Sequence, residues 1–323
     1  MSEVKDRVVD TLKRPWVGPL IALVAVYLLF VVLRPDTFSG VINLETMLRQ
    51  TVVVAIAAVG MTLIIVQGGI DLSIGSVVAL TTVVVARALR ADLGPVEAAL
   101  VGVLFGTICG LINGLLVAGM RITPFIVTLG TMSLLRGAAK GLADEQKIDA
   151  DPKGLDELMA VLPDELAWML VSPGVWCALL IAALAVVLLG YTRLGRHIVA
   201  IGSSEQTARL CGVPVARVTL IVYALAGMLG GLAGVMEFAT LTVGDPTDSI
   251  GLELEVIAAV VIGGGSLAGG QGSIAGALLG AMLMTVIKTG ATHVGLPNWV
   301  QEIVTGIIIV VAVGLDRLRH RKG

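Results

Sequence analysis

The sequence predicts an all-α integral membrane protein, a polytopic bundle of about ten transmembrane helices with both termini in the cytoplasm. Three observations carry this prediction. Of the 323 residues, 56% are apolar and only 14% charged, against about 25% charged in a soluble domain, and the mean hydropathy is +0.97. Apolar runs of membrane-crossing length recur along the chain. The basic and acidic residues are distributed unevenly about those runs.

A hydrocarbon core about 30 Å thick needs roughly 20 mostly apolar helical residues. Such runs lie near 16–33, 51–68, 73–89, 95–119, 123–141, 174–191, 215–241, 253–266, 273–291 and 298–315. The first follows Lys5, Arg7, Lys13 and Arg14, but no small-residue cleavage site follows it, so it reads as a retained helix. The eighth is short. Between 142 and 173 lie Asp144, Glu145, Asp149, Asp151, Asp156, Glu157, Asp164 and Glu165, which cannot enter hydrocarbon and make this stretch a large loop. With the N-terminus inside, 13 of the 22 Lys and Arg and 6 of the 24 carboxylates fall on the cytoplasmic side. Both counts favour that orientation. Its strongest signals are the basic N-terminus, then Arg193, Arg196, Arg209 and Arg217, and finally Arg317, Arg319, Arg321 and Lys322. The chain then reads as one transmembrane domain over 1–323, with an external loop at about 142–173 and a cytoplasmic segment at about 192–214.

Glycine, at 40 residues, recurs at four-residue spacing: Gly106, Gly110 and Gly114; Gly227 and Gly231; Gly230 and Gly234; Gly276 and Gly280. That spacing lets helix backbones approach closely in lipid. Two segments interrupt the apolar pattern differently. One is Gln67-Gly68-Gly69-Ile70-Asp71-Leu72-Ser73-Ile74-Gly75, and the other is Gly263 through Ser273 in the corresponding part of the second half. Irregular backbone at membrane depth is tolerated where protein or a wet cavity satisfies it, and paired breaks of this kind mark translocation paths. The other reading is two cytoplasmic turns, with Asp71 capping the helix that starts near Ser73. Gly69, Asp71, Ser73 and Asn113 are therefore candidate path residues. Asn113, inside the fourth run, needs a hydrogen-bond partner either between helices or from a solute. Glu237 and Lys288, near the ends of their runs, read as solvated anchors.

The composition excludes other classes. No basic, aromatic-interleaved patch points to nucleic acid. His197, His293 and His320 lack metal-ligand spacing, and Cys109, Cys177 and Cys211 share no close spacing. No Gly-x-x-x-x-Gly-Lys-Ser/Thr motif is present, so any ATP is bound by a partner. Chains of intramembrane carboxylates and histidines, which proton-coupled carriers use, are also missing. In the cytoplasmic segment, Ser203 or Ser204 can cap a short helix with Glu205 in its first turn, Arg209 near its end and Gly212 closing it before Pro214. Such a helix is marginal alone and needs something to pack against, either a partner or the membrane surface.

From about 45 to 316 the chain resembles the ribose-type permeases of bacterial ABC importers, a family related to the branched-chain amino acid permeases. The resemblance rests on Ala58-Val59-Gly60-Met61-Thr62 leading into Gly68 through Ser76, on Asn113-Gly114, on Thr123 through Met132, and on Gly195-Arg196 through Gly212-Val213. It implies a multi-pass subunit of the bacterial inner membrane that moves a monosaccharide inward by alternating access. It also implies a homodimer of permeases, a periplasmic or lipoprotein solute-binding protein, and ATP-binding subunits that hold ATP and Mg, with no cofactor in this chain. Ser204, Glu205, Arg209, Gly212 and Val213 would belong to the helix that couples to the ATPase. Where the family commonly has Glu-Ala-Ala, this chain has Glu205-Gln206-Thr207, and its loop at 142–173 is longer and more acidic than in the ribose type. The alternatives are a branched-chain amino acid permease of the same architecture and a stand-alone secondary carrier.

Overall fold

The computed structural model describes residues 16–163 and 168–320. Lys5, Arg7, Lys13, Arg14, Asp164, Glu165, Arg321 and Lys322 lie outside the described residues. Each predicted apolar run is carried by a helix: α1 (Val17–Leu33), α3 (Val41–Val66), α4 (Ile74–Arg90), α5 (Pro95–Met120), α6 (Pro124–Leu142), α7 (Pro173–Tyr191), α10 (Val215–Leu241), α11 (Leu252–Ile262), α12 (Ile274–Val294) and α13 (Asn298–His320). Short helices α2 (Pro35–Phe38), α8 (Arg193–Ser203) and α9 (Glu205–Leu210) connect them. Five of these helices, α3, α5, α7, α10 and α12, are long and apolar enough by themselves to cross a membrane.

The centre of the bundle is α3. Every residue from Thr51 to Val66 is buried, as a helix that is apolar on all sides requires. It packs against α7, α10, α11 and α12. The helix begins ten residues before the apolar run at 51, because Asn43, Glu45, Arg49 and Gln50 belong to it although they break its hydropathy. Their turn is held by hydrogen bonds, with Arg49 Nη1 donating to Met159 O at 2.9 Å and Arg49 Nη2 to Thr46 Oγ1 at 3.4 Å. At the other extreme, α11 stops at Ile262, and the glycines that follow it leave the helix.

The glycine ladders are where backbones touch. Gly106 and Gly110 of α5 lie against Gly227 and Gly231 of α10, so that a Cβ on Gly227 would stand 2.6 Å from Gly110 Cα. Gly234 packs on Thr81 of α4, while Gly276 and Gly280 of α12 pack on Gly263 and Ala259. Dispersion contacts between such close backbones supply the association that apolar burial cannot supply in lipid.

The acidic loop is folded down onto one end of the bundle. Strand β1 (Ile148–Asp149) pairs antiparallel with β2 (Val243–Gly244), Ile148 opposite Gly244 and Asp149 opposite Val243. Arg90 Nε donates to Asp149 O at 2.7 Å, Arg87 pairs with Asp144 at 3.4 Å, and Lys153 pairs with Asp92 at 3.5 Å. A 3-10 turn at Leu155–Leu158 then buries Leu155 in the core beside Phe238. The opposite end of the bundle carries α8, α9 and both glycine breaks.

Candidate functional site

The segment 192–214 forms two helices between α7 and α10. Thr192 caps α8, its hydroxyl accepting from Gly195 N at 3.1 Å, and α8 buries Gly195, Ile198 and Ile201. Ser204 caps α9: its Oγ accepts from Thr207 N at 3.3 Å and donates to Thr207 Oγ1 at 2.9 Å. Thr207, which stands where the second alanine of the Glu-Ala-Ala pattern would be, thus completes the cap. Glu205 and Arg209 pair at 2.6 Å across one turn, with the acid at the helix start and the base at its end, as the helix dipole favours. Gly212 takes φ +82°, a left-handed conformation that ends the helix at little steric cost, and Val213 N then donates to Ala208 O at 3.0 Å. Ala208 is buried, whereas Leu210 is 82% exposed. The helix is therefore anchored on one side and presents an apolar tip to its surroundings.

Two residues before that cap, the chain meets both glycine breaks. Gly202 lies against Val66 O and Gly270 N, and Gly270 N donates to Val66 O at 2.8 Å. A Cβ on Gly269 would stand 3.0 Å from Gly68 Cα and 2.6 Å from Gly202 O. The first break, the second break and the last turn of α8 are in backbone contact at one point. The last turn of α8, which leads into α9, thus touches the C-terminal end of α3.

The candidate path residues divide. Asp71 is 3% exposed, Ser73 0% and Asn113 1%, and they form one chain of hydrogen bonds. Asp71 Oδ1 accepts from Ser73 N at 2.8 Å and from Ser73 Oγ at 2.6 Å, and Asn113 Nδ2 donates to Ser73 Oγ at 2.9 Å. Gly69 instead lines a cavity of about 840 Å³ that opens beside α9, walled also by Gln67, Arg121, Glu205, Arg209 and Tyr223. Asp71, Ser73 and Asn113 stand behind that wall. Gln67 Oε1 and the Tyr223 hydroxyl, both buried, have no hydrogen-bond partner among the described residues.

Sequence reasoning missed a second cavity, of about 620 Å³, at the end of the bundle that carries β2. Its wall includes Arg49, Gln50, Glu237, Glu255, Lys288 and Thr289. Glu237 and Lys288, read from sequence as solvated anchors, face this hollow, with Lys288 Nζ 3.0 Å from Glu255 Oε1. The signal available in the sequence was the ionisable residue inside a span, which by itself does not say what it faces. Among the described residues no group of three or more His, Cys, Asp and Glu side chains could hold a metal.

On the β2 end, burial acts to raise the pKa of Asp245, but hydrogen bonds from Thr247 and Lys147 outweigh it and hold the carboxyl below its ordinary value. The hydrogen bond to Asp245, at 2.9 Å, in turn raises Lys147 above the ordinary lysine value.

Comparison with known proteins places this arrangement among transport subunits. Residues 43–313 match the family described as the permease component of the branched-chain amino acid transport system. The chain is 38% identical over 307 residues to the ribose import permease protein of Escherichia coli strain K12, covering 93% of each chain. It is 35% identical over 308 residues to the ribose import permease protein of Bacillus subtilis, covering 93% of this chain and 92% of the relative. To the galactose/methyl galactoside import permease protein of E. coli K12 it is 34% identical over 323 residues, covering 94% and 95%. No solved structure matches the chain.

Proposed function

This chain belongs to the family of branched-chain amino acid transport permease components and is a multi-pass membrane protein, and on that premise we propose that it is the permease subunit of an ABC importer for a monosaccharide of the ribose or galactose type. It lies in the bacterial inner membrane with ten spans and both termini in the cytoplasm, so that α8 and α9 face the cytoplasm and the β1–β2 pair faces outward. A second copy completes the translocation unit, a solute-binding protein delivers sugar to the outer face, and partner ATPase subunits dock on α9. ATP and Mg are held by those partners.

In this reading ATP closes the ATPase dimer, α9 moves with it, and alternating access follows. One observation carries the mechanism: Gly202, two residues from the cap of α9, touches both glycine breaks. Motion of the docking helix is thereby imposed on Gly68–Gly69 and Gly269–Gly270 without an intervening soft segment. The network of Asp71, Ser73 and Asn113 holds the first break in shape while Gly69 walls the path. The relatives support the sugar as cargo.

The test is ATP hydrolysis by the permease reconstituted with its ATPase, with and without sugar-loaded binding protein, for wild type, Glu205→Ala and Gly212→Pro. Loss of stimulated hydrolysis in both variants, with the permease still folded, is the expected result. Unchanged stimulation in both would overturn the docking assignment, and sugar uptake into proteoliposomes without ATP would favour a stand-alone carrier. Stimulation by leucine-like solutes alone would favour the amino acid reading that the family description invites.

A further inference from the structure

Charge is scarce in this chain, yet the helices at the outer end gather it round one hollow. The outer cavity, about 620 Å³, is walled by Arg49 and Gln50 from α3, Glu237 from α10, Glu255 from α11, and Lys288 and Thr289 from α12. An ionisable group within a spanning helix persists where it meets an opposite charge or a wet cavity. Both conditions hold here. Lys288 pairs with Glu255 at 3.0 Å, and Glu237 interacts with Lys288, Glu255 and Asp248. Thr289 Oγ1 donates to Gln50 Oε1 at 3.1 Å, across the boundary between α12 and α3. Arg49 Nε is buried without a hydrogen-bond partner among the described residues.

The chemistry of this wall selects a ligand class. Both signs of charge stand in the wall, Arg49 and Lys288 beside Glu237, Asp248 and Glu255, so neither an anion nor a cation meets a uniform opposite field. Amide, hydroxyl, carboxylate and ammonium groups alternate as donors and acceptors, which is what ring hydroxyls need because each both donates and accepts. By residue the lining is mostly polar, with Val53, Val54, Ile250 and Leu252 and the aliphatic stems of the longer side chains adding apolar surface on which a ring's C–H face can rest. The volume lies within the range of about 300–1,000 Å³ typical of small-molecule sites. Below Val54, α3 continues buried until Ile64 reaches the cavity beside α9, about 15 Å further at 1.5 Å per residue. The outer cavity is therefore a floored chamber rather than an open channel.

We infer that this chamber is a receiving site in the permease itself for a neutral polyhydroxylated solute, with Gln50, Thr289 and the Lys288–Glu255 pair as hydrogen-bonding groups. The inference rests on the sugar-import reading and assigns that function a place. It gives the permease a selectivity of its own, beyond that of the binding protein.

The test is uptake of labelled D-ribose and D-galactose by the complete transporter in proteoliposomes, with permease, ATPase and binding protein together. Wild type is compared with Gln50→Leu, Thr289→Val and Thr289→Ser at equal amounts of reconstituted protein. Valine keeps the shape of threonine and removes only the hydroxyl, whereas serine keeps the hydroxyl. Removing one hydrogen-bonding group from a site predicts a loss of at least about tenfold in uptake for Gln50→Leu and Thr289→Val, with Thr289→Ser close to wild type. Wild-type uptake in both Gln50→Leu and Thr289→Val overturns the inference. Equal loss in Thr289→Val and Thr289→Ser also overturns it, because the position would then serve packing alone. A wild-type complex that imports neither sugar overturns the proposed function itself, a result distinguishable from the other two.

Discussion

The side-chain amide of Asn113, in the C-terminal half of α5, donates a hydrogen bond of 2.9 Å to the hydroxyl of Ser73, which immediately precedes α4. Ser73 passes it on to Asp71, so one buried chain of polar groups ties two helices to the first glycine break. A buried group left without its partner costs about 1–3 kcal/mol. Asp71→Ala strips Ser73 of the acceptor for both its N–H and its hydroxyl, and Asn113→Leu strips the hydroxyl of its donor. Both variants are expected to unfold at lower temperature in detergent, Asp71→Ala more so. An unchanged midpoint for Asp71→Ala would show that the network does not hold the break.

The crossing of α5 and α10 has no room for a side chain. Gly227→Ala and Gly110→Ala each place a Cβ against the backbone of the facing helix. Overpacking of a tight interior costs about 1–3 kcal/mol. Gly119, further along α5, has nothing within 4 Å of the position its Cβ would take, so Gly119→Ala is the control and is expected to leave thermal stability unchanged. Equal midpoints for all three variants would contradict the close crossing.

Gly202 separates stability from coupling. Gly202→Ala pushes the last turn of α8 away from Val66 and Gly270, so stimulation of ATP hydrolysis by loaded binding protein should fall by about tenfold or more, on the scale of a steric cost above about 1.4 kcal/mol at a single contact. Gly190→Ala, at an α7 position with open space around it, should retain stimulation. Retained stimulation in both would mean that α9 does not act through this contact.

The Lys147–Asp245 pair predicts a pH window for the outer end. Asp245 has its pKa depressed by Thr247 and Lys147, so its contribution to stability is present above the ordinary carboxylate value of 3.8 and is lost as pH falls through the lower folded value. Lys147 has its pKa raised, so its contribution is present below the ordinary lysine value of 10.5 and is lost as pH rises through the higher folded value. Asp245→Asn should therefore destabilise at neutral pH, and its difference from wild type should shrink as pH falls below the ordinary carboxylate value of 3.8 and through the lower folded value. Protease sensitivity of the 142–163 segment across pH reads this locally. A difference that stays constant down to pH 2 would exclude the carboxylate as its source.

How much of this was legible in advance follows from the range of each signal. The α9 segment was readable because everything that makes it a helix is local: a serine cap at 204, an acid and a base four residues apart at 205 and 209, and a glycine at 212 that takes a left-handed conformation. The start of α3 was not, because Arg49 and Gln50 break the apolar run in any local window and find partners in Met159 O and Thr289, far along the chain. Asp71 divided the two readings of the first break for the same reason. An Asx turn onto Ser73 is local and visible, whereas the burial of that turn behind α5 depends on Asn113, forty residues away.

By itself the sequence determined that the chain enters the membrane, where its apolar runs lie and which segment between them forms a capped helix. Lipid imposes a minimum apolar length, and helix caps act over four residues, so both leave marks on a short window. Only the tertiary structure decided that Gly68, Gly202 and Gly270 meet, that Asp71 is sealed behind the wall of one cavity, and that Glu237, Glu255 and Lys288 surround another. Those relations join residues as far apart as Gln50 and Thr289, 239 positions; the glycine spacing marks which helix faces can approach closely, but not which helix each face meets.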